Sequence, residues 1–143
     1  IAKKNNRDNK NIKIINKKIE KIKFKKSSLF TSFYTIQFIH PRKRQDLLNK
    51  IFKSLEWGGA FIMFEKVRAP DARFQDMTAQ IYNDYKIEQG YSPKEIISKS
   101  KSLKGKMDPF SSEANKQMLK RAGFKDIITI LKFINFEGFL AVK

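Results

Sequence analysis

The chain has 143 residues, a formal net charge of +17 and 41% hydrophobic residues, which is enough for one packed domain and too short for several. It has no cysteine and one histidine, so disulfides, thiolate metal sites and a histidine-based metal cage are excluded. No apolar run approaches the ~20 residues of a membrane span and no signal peptide is recognisable, so we expect no membrane partner and a cytoplasmic location.

The first 26 residues form a basic segment. They contain eleven Lys or Arg and only two acids, Asp8 and Glu20, and so carry +9 of the net charge of +17. Residues 1–10 read as the end of a helix running into a polar turn, which indicates a truncated start. Residues 11–15 alternate Ile with polar side chains and predict one short strand. We therefore separate a basic segment, residues 1–26, from a main domain, residues 27–143.

The next stretch predicts a parallel crossover unit, in which two buried strands flank a helix. Residues 29–36 are aromatic, β-branched and uncharged, as in a central parallel strand. Pro41 opens a helix predicted over residues 42–55, and Gly58 ends it. Residues 60–64 predict the second buried strand. Glu65 follows it, either at the edge where such sheets bind ligands or as a solvated strand-end acid.

Three helices and a hairpin are predicted in the rest of the chain. The helices cover residues 72–89, 93–104 and 111–122, and the first two form a helical insertion over about residues 70–110. Ser92 and Glu95 have the spacing of a capping box, and Gly123 ends the third helix. Residues 124–133 and 139–143 predict an antiparallel hairpin. The fold class is therefore α/β: the back half of a Rossmann-like class I methyltransferase fold, with a mostly parallel sheet and an antiparallel terminal hairpin.

Eight short motifs carry a resemblance to one enzyme family. They are TIQF at 35–38, RQDLLNKI at 44–51, GGA at 58–60, EK at 65–66, DYK at 84–86, GYS at 90–92, KRAGF at 120–124 and FINF at 133–136. With them, the chain from about residue 12 onward resembles the carboxy-terminal portion of the carboxy-S-adenosyl-L-methionine synthase family. The spacing from DYK to GYS is the most specific of these signals.

The resemblance implies a transferase that uses S-adenosyl-L-methionine as its cofactor and needs no metal. It implies prephenate as the second substrate and carboxy-S-adenosylmethionine as the product, which supplies a carboxymethyl group to the wobble uridine of tRNA. It further implies a homodimer that is linked to tRNA only indirectly.

Four residues fall at positions that contact ligands in that family, and most differ in type. Lys18 and Ile19 stand where the family has an acid followed by Ile against the adenine. Phe33 replaces an Asn beside the cofactor, and Ser100 replaces the Arg that holds the transferred carboxylate. No catalytic residue is assigned. The glycine-rich loop and the acidic ribose-binding strand are not found in this sequence, so the resemblance implies an incomplete fragment, inactive by itself.

Two other functions stay open from the sequence. One is a methyltransferase of the same fold with an unknown substrate, and the other is a basic nucleic-acid-binding module. The sequence also predicts His40 as a surface residue, Trp57 packed under the turn, and an uncovered strand edge that favours self-association.

Overall fold

The computed structural model describes residues 9–143 and shows a four-stranded mixed sheet with a layer of two helices packed on one of its faces. Residues 1–8, and with them most of the helix end predicted over 1–10, lie outside the described residues. The elements are β1 Ser27–Phe33, α1 Pro41–Ser54, β2 Leu55–Lys66, α2 Ala72–Glu88, α3 Pro93–Leu103, α4 Ser112–Ala122, β3 Asp126–Phe133 and β4 Phe136–Val142.

The strands lie in the order β1-β2-β4-β3, which confirms the predicted architecture. β1 and β2 are parallel, and α1 forms the crossover between them. β4 is antiparallel to both of its neighbours, β2 and β3. The chain therefore closes the sheet with an antiparallel hairpin next to the parallel pair, as expected for this half of the fold.

The hydrophobic core lies between the sheet and the layer formed by α1 and α4. Alternate residues of β2 and β4 face this layer, because side chains alternate across a strand. Its fully buried members include Leu48 of α1, Leu119 of α4, Phe61 and Met63 of β2, and Phe139 of β4. This face of the sheet is the packed one.

The opposite face of the sheet is apolar and largely open. Leu29 is 51% exposed, Phe33 60% and Ile128 60%. β1 pairs with β2 alone among the described strands, so its outer edge is free there. The expected uncovered edge is therefore present at β1.

The strand predicted over residues 11–15 is wrong. Residues 12–16 have no regular structure, and a short 3-10 turn, Ile19–Lys21, follows them. Ile12 and Ile15 are 46% and 49% exposed. Alternating apolar and polar residues suit a half-buried surface, but they form a strand only where a partner strand supplies hydrogen bonds. No described strand pairs with this segment.

Two predicted boundaries are also wrong. β1 ends at Phe33, because Tyr34 has a φ of 49° and a 3-10 turn, Ile36–Phe38, follows. α1 ends at Ser54, and Gly58 lies inside β2 with a φ of 73°. The pairing of β1 with β2 shifts register between Ser27 and Leu29. Gly58 thus serves an irregularity in the strand and not a helix end.

The predicted helix starts are confirmed. Asp71 accepts a hydrogen bond from Phe74 N at 2.9 Å. Ser92 and Glu95 form a complete capping box at the start of α3. Both helices fall within the predicted insertion. Within residues 9–143, no helix combines the length and the apolarity needed to cross a membrane.

Candidate functional site at the carboxyl edge of the sheet

A buried carboxylate holds the loop that follows β1. Glu65 is 2% exposed, and its oxygens accept hydrogen bonds from Ile36 N at 2.9 Å and from Gln37 N at 2.8 Å. Tyr34 N donates to Phe64 O at 2.8 Å beside it. Glu65 is therefore not the solvated strand-end acid that one reading of the sequence proposed; it fixes the loop at the carboxyl edge of β1.

Arg44 holds the same loop from the helix side. Its Nε donates to Ile39 O at 2.8 Å, and its Nη2 donates to Gln37 O at 3.1 Å. The guanidinium lies 4.4 Å from the ring centroid of Phe110. Arg44 is 1% exposed, so hydrogen bonds and ring contacts replace its water shell. The loop is clamped between α1 and β2.

Gln37 joins the two halves of this clamp. Its backbone N–H binds Glu65, its carbonyl accepts from Arg44, and its side-chain Oε1 accepts a hydrogen bond from Lys66 N at 2.9 Å. Gln37 is itself buried, at 5% exposure. A buried network with these partners orders the loop, because each group would lose its partner if the loop moved.

Burial shifts the pKa values of Glu65 and Arg44. Loss of water raises the pKa of Glu65, although the hydrogen bonds from Ile36 and Gln37 oppose the shift. Burial lowers the pKa of Arg44, while the carboxylates of Asp108 and Glu65 raise it. Hydrogen bonds and the opposite charge offset only part of this desolvation, so the pKa of Glu65 stays raised and that of Arg44 stays lowered.

A small cavity opens beside the clamped loop. Its volume is about 130 Å³, and its lining includes Ile19, Phe24, Phe30, Phe33 and Ile36. The structure thus brings together two of the four positions expected at the ligand, Ile19 and Phe33. The cavity is small next to the ~300–1,000 Å³ of pockets that enclose drug-sized ligands. The cavity that the described residues form is therefore too small to enclose a ligand of that size.

The other two predicted positions, Lys18 and Ser100, do not line the cavity. Lys18 precedes the 3-10 turn, Ile19–Lys21, and is exposed. Ser100 is exposed on α3, which packs against α2 and does not line the cavity. The structure does not join Ser100 to Ile19 and Phe33.

Sequence reasoning missed Arg44 and Gln37. The signal for Arg44 is its place at the spacing i, i+3, i+4, i+7 with the buried Leu47, Leu48 and Ile51. A charge on the apolar stripe of a helix indicates a buried partner. His40 is a surface residue as predicted, and its Nδ1 caps α1 by accepting from Arg42 N at 3.3 Å. Trp57 is 91% exposed, so its predicted packing under the turn is wrong.

The chain is similar in sequence to several curated proteins. The chain is 42% identical over 139 residues to a carboxy-S-adenosyl-L-methionine synthase from Staphylococcus epidermidis, covering 97% of the chain and 61% of that protein. It is 41% identical over 125 residues to the enzyme of the same name from Campylobacter lari, with 87% and 53% covered. A third, from Campylobacter jejuni, is 46% identical over 115 residues, with 80% and 49% covered.

The chain spans about half to three-fifths of the length of these relatives. The match lies in their carboxy-terminal portion. No protein-family model matches the chain.

Solved structures share the fold at low sequence identity. The S-adenosylmethionine-dependent methyltransferase SibL, in its apo form, matches with a TM-score of 0.67 and 12% identity, covering 99% of the chain and 39% of that protein. Human N-acetylserotonin methyltransferase, in complex with S-adenosylmethionine, matches with a TM-score of 0.58 and 16% identity, covering 90% and 33%. The fold is therefore that of class I S-adenosylmethionine-dependent methyltransferases.

Proposed function

We propose that the chain belongs to the carboxy-S-adenosyl-L-methionine synthase family and contributes to the conversion of S-adenosylmethionine and prephenate into carboxy-S-adenosylmethionine. The observation that carries the proposal is the identity of 42% across nearly the whole chain. The product would serve modification of the tRNA wobble uridine, so tRNA is an indirect partner. We place this chemistry in the cytoplasm.

The cavity at the end of β1 supports a cofactor role for this part of the fold. Ile19 and Phe33 both line this cavity, beside a loop that Glu65 and Arg44 hold in place. Ligands of open α/β sheets bind outside the carboxyl ends of the strands, in the crevice that forms where the strand order of the sheet reverses. We assign Ile19 and Phe33 to the adenosine side of the cofactor site. For Lys18 and Ser100, a ligand role is supported only by their correspondence to ligand-contacting positions of the family.

We further propose that these 143 residues alone bind S-adenosylmethionine weakly and do not turn over. A cavity of about 130 Å³ leaves most of a nucleoside-sized ligand in water. The replacement of Arg by Ser100 also removes the bidentate fork that suits a carboxylate. Isothermal titration calorimetry of the chain with S-adenosylmethionine tests this. A low-micromolar dissociation constant would overturn the proposal of weak binding.

A homodimer, which the resemblance implies, has a candidate surface on α2. Phe74, Met77 and Ile81 are 42%, 51% and 52% exposed and share one helix face. An apolar stripe of this kind on a surface helix is typical of a contact between subunits.

A methyltransferase that transfers a methyl group is the second candidate, favoured by the solved structures of the same fold. The two candidates differ in the mass of the product. Because the chain alone is not expected to turn over, we propose joining it to the amino-terminal portion of the Staphylococcus epidermidis relative, incubating the chimera with S-adenosylmethionine, with and without prephenate, and analysing the mixture by mass spectrometry. Carboxy-S-adenosylmethionine that appears only with prephenate supports the first candidate, whereas a methylated acceptor together with S-adenosylhomocysteine supports the second.

A further inference from the structure

All four tyrosines of the chain lie near one another at the carboxyl edge of the sheet. The ring of Tyr82 stacks on that of Tyr85 at 6.5 Å, and it meets the ring of Phe136 edge-on at 5.1 Å. Tyr34 contacts the same Phe136 ring at 5.5 Å. Tyr91 is close enough to Tyr82 that, after burial, it contributes most to raising the pKa of Tyr82.

Two lysines flank the central ring of this group. Nζ of Lys86 lies 4.4 Å from the ring centroid of Tyr82, and Nζ of Lys66 lies 5.1 Å from it. Lys66 is the last residue of β2 and Lys86 belongs to α2, so the two cations approach from different elements. We call Tyr34, Tyr82, Tyr85, Tyr91, Lys66 and Lys86 the tyrosine–lysine cluster.

The lysines of the cluster have no acidic partner in residues 9–143. The ion pairs found there join Glu20 to Lys43, Asp108 to Arg68 and Glu137 to Lys132. Glu65 and Glu137 are buried against the helix layer, while Lys66 lies at the next position of β2 and faces the opposite side. Two partly desolvated cations share one ring without an anion between them.

Burial lowers the pKa of both lysines, and the charge of Lys86 adds to the lowering at Lys66. Cations held this way gain from a bound anion, because the anion replaces both the lost water and the missing carboxylate. The surrounding rings offer phenol hydroxyls as donors and faces for stacking.

We propose that the tyrosine–lysine cluster binds a small carboxylate carried on a planar ring, with the carboxylate between Lys66 and Lys86 and the ring against the tyrosines. The two ammonium groups select the charge, and the aromatic rings select a flat apolar body over a bare anion. The inference rests on the proposed function only for the identity of the natural ligand, which would be the second substrate.

The test is a titration of the uniformly labelled 143-residue chain with benzoate, followed by two-dimensional amide NMR at fixed ionic strength. We expect saturable shifts at Tyr82 and Lys86, and weaker binding of inorganic phosphate, which lacks a ring. Shifts that sodium chloride reproduces, or phosphate binding as tight as benzoate binding, would overturn the proposal.

Substitutions locate the binding. Lys86→Met should weaken benzoate about tenfold or more, since one charge-assisted hydrogen bond is lost. Lys94→Met, on the exposed first turn of α3, is the matched control and should leave the affinity unchanged. Lys66→Met should act like Lys86→Met, and both variants must keep the wild-type circular dichroism spectrum. Equal affinity of Lys86→Met and Lys94→Met would refute the site.

A second titration separates this inference from the proposed function. S-adenosylmethionine, added to the same sample, should shift the amide signals of Ile19 and Phe33 at the cavity and leave those of Tyr82 and Lys86 in the tyrosine–lysine cluster unchanged. Benzoate shifts without S-adenosylmethionine shifts would sustain the anion site and count against the cofactor site, and the reverse pattern would do the opposite.

Discussion

Replacement of Glu65 by Gln tests whether the buried carboxylate holds the loop after β1. The carboxylate accepts two backbone N–H groups, from Ile36 and Gln37. The Gln side chain keeps one acceptor oxygen, and its NH₂ group then faces the second N–H without being able to accept from it. One buried donor is left without a partner.

The expected cost follows from that unsatisfied donor. A buried donor without a partner destabilises by about 1–3 kcal/mol. With a urea dependence of about 2 kcal/mol per molar for a chain of this size, a loss of about 2 kcal/mol moves the urea midpoint down by about 1 M. Urea unfolding followed by circular dichroism measures the shift.

The matched control is Glu56→Gln, the same substitution at an exposed position of the same strand. An exposed change of this kind is expected to stay within about 0.5 kcal/mol. A loss at Glu65→Gln no larger than the loss at Glu56→Gln would refute the clamp.

The pH dependence of Glu65 gives a second readout with a defined sign. Burial raises the pKa of Glu65 above its ordinary value of 4.5, so the folded chain holds this proton more tightly than the unfolded chain. The bound proton makes its whole contribution to the free energy of unfolding below the ordinary pKa, and this contribution is lost as the pH rises through the raised pKa. The free energy of unfolding of the wild type should therefore fall relative to that of Glu65→Gln from acid toward neutral pH. A wild type that gains stability relative to Glu65→Gln over this range contradicts the shift.

Three more outcomes are expected. Gly123→Ala should destabilise the chain by about 1–3 kcal/mol in urea unfolding, since Gly123 has a φ of 120° and an added Cβ would meet Phe52 at 2.6 Å. Gly90→Ala is the control, because Gly90 has a φ of 88° but open space around it, and it should cost less. Equal losses would contradict the clash with Phe52. We expect sedimentation velocity to show that the chain self-associates. Ile81→Asp should reduce the association if α2 forms the contact, and Ile128→Asp should reduce it if the open face of the sheet forms the contact. A wild-type chain that sediments as a monomer would argue against both surfaces. Any tRNA affinity that the charge of +17 provides should fall steeply with salt because counterions are released, and a flat response would exclude a nucleic-acid-binding module.

Local signals fixed the helices of this chain. Ser92 and Glu95 are three residues apart, and their capping box depends on nothing outside that turn. The left-handed cap at Gly123 likewise follows from the absence of a side chain, and it is present as predicted. The order of buried strands and helices further determined the α/β class and the antiparallel hairpin, because each crossover or hairpin connection allows few arrangements.

The tertiary structure decided whatever depends on residues distant in the sequence. Residues 11–15 carry the alternation of a strand, yet they form none, because a strand requires a partner edge. The sequence around Glu65 is the same whether its side chain is solvated or buried, and only the approach of Ile36 and Gln37, 29 and 28 residues away, buries it with partners. The tyrosine–lysine cluster has the same origin: Tyr34 follows β1, Lys66 ends β2 and Tyr82 lies in α2, and only the packed sheet edge brings them together.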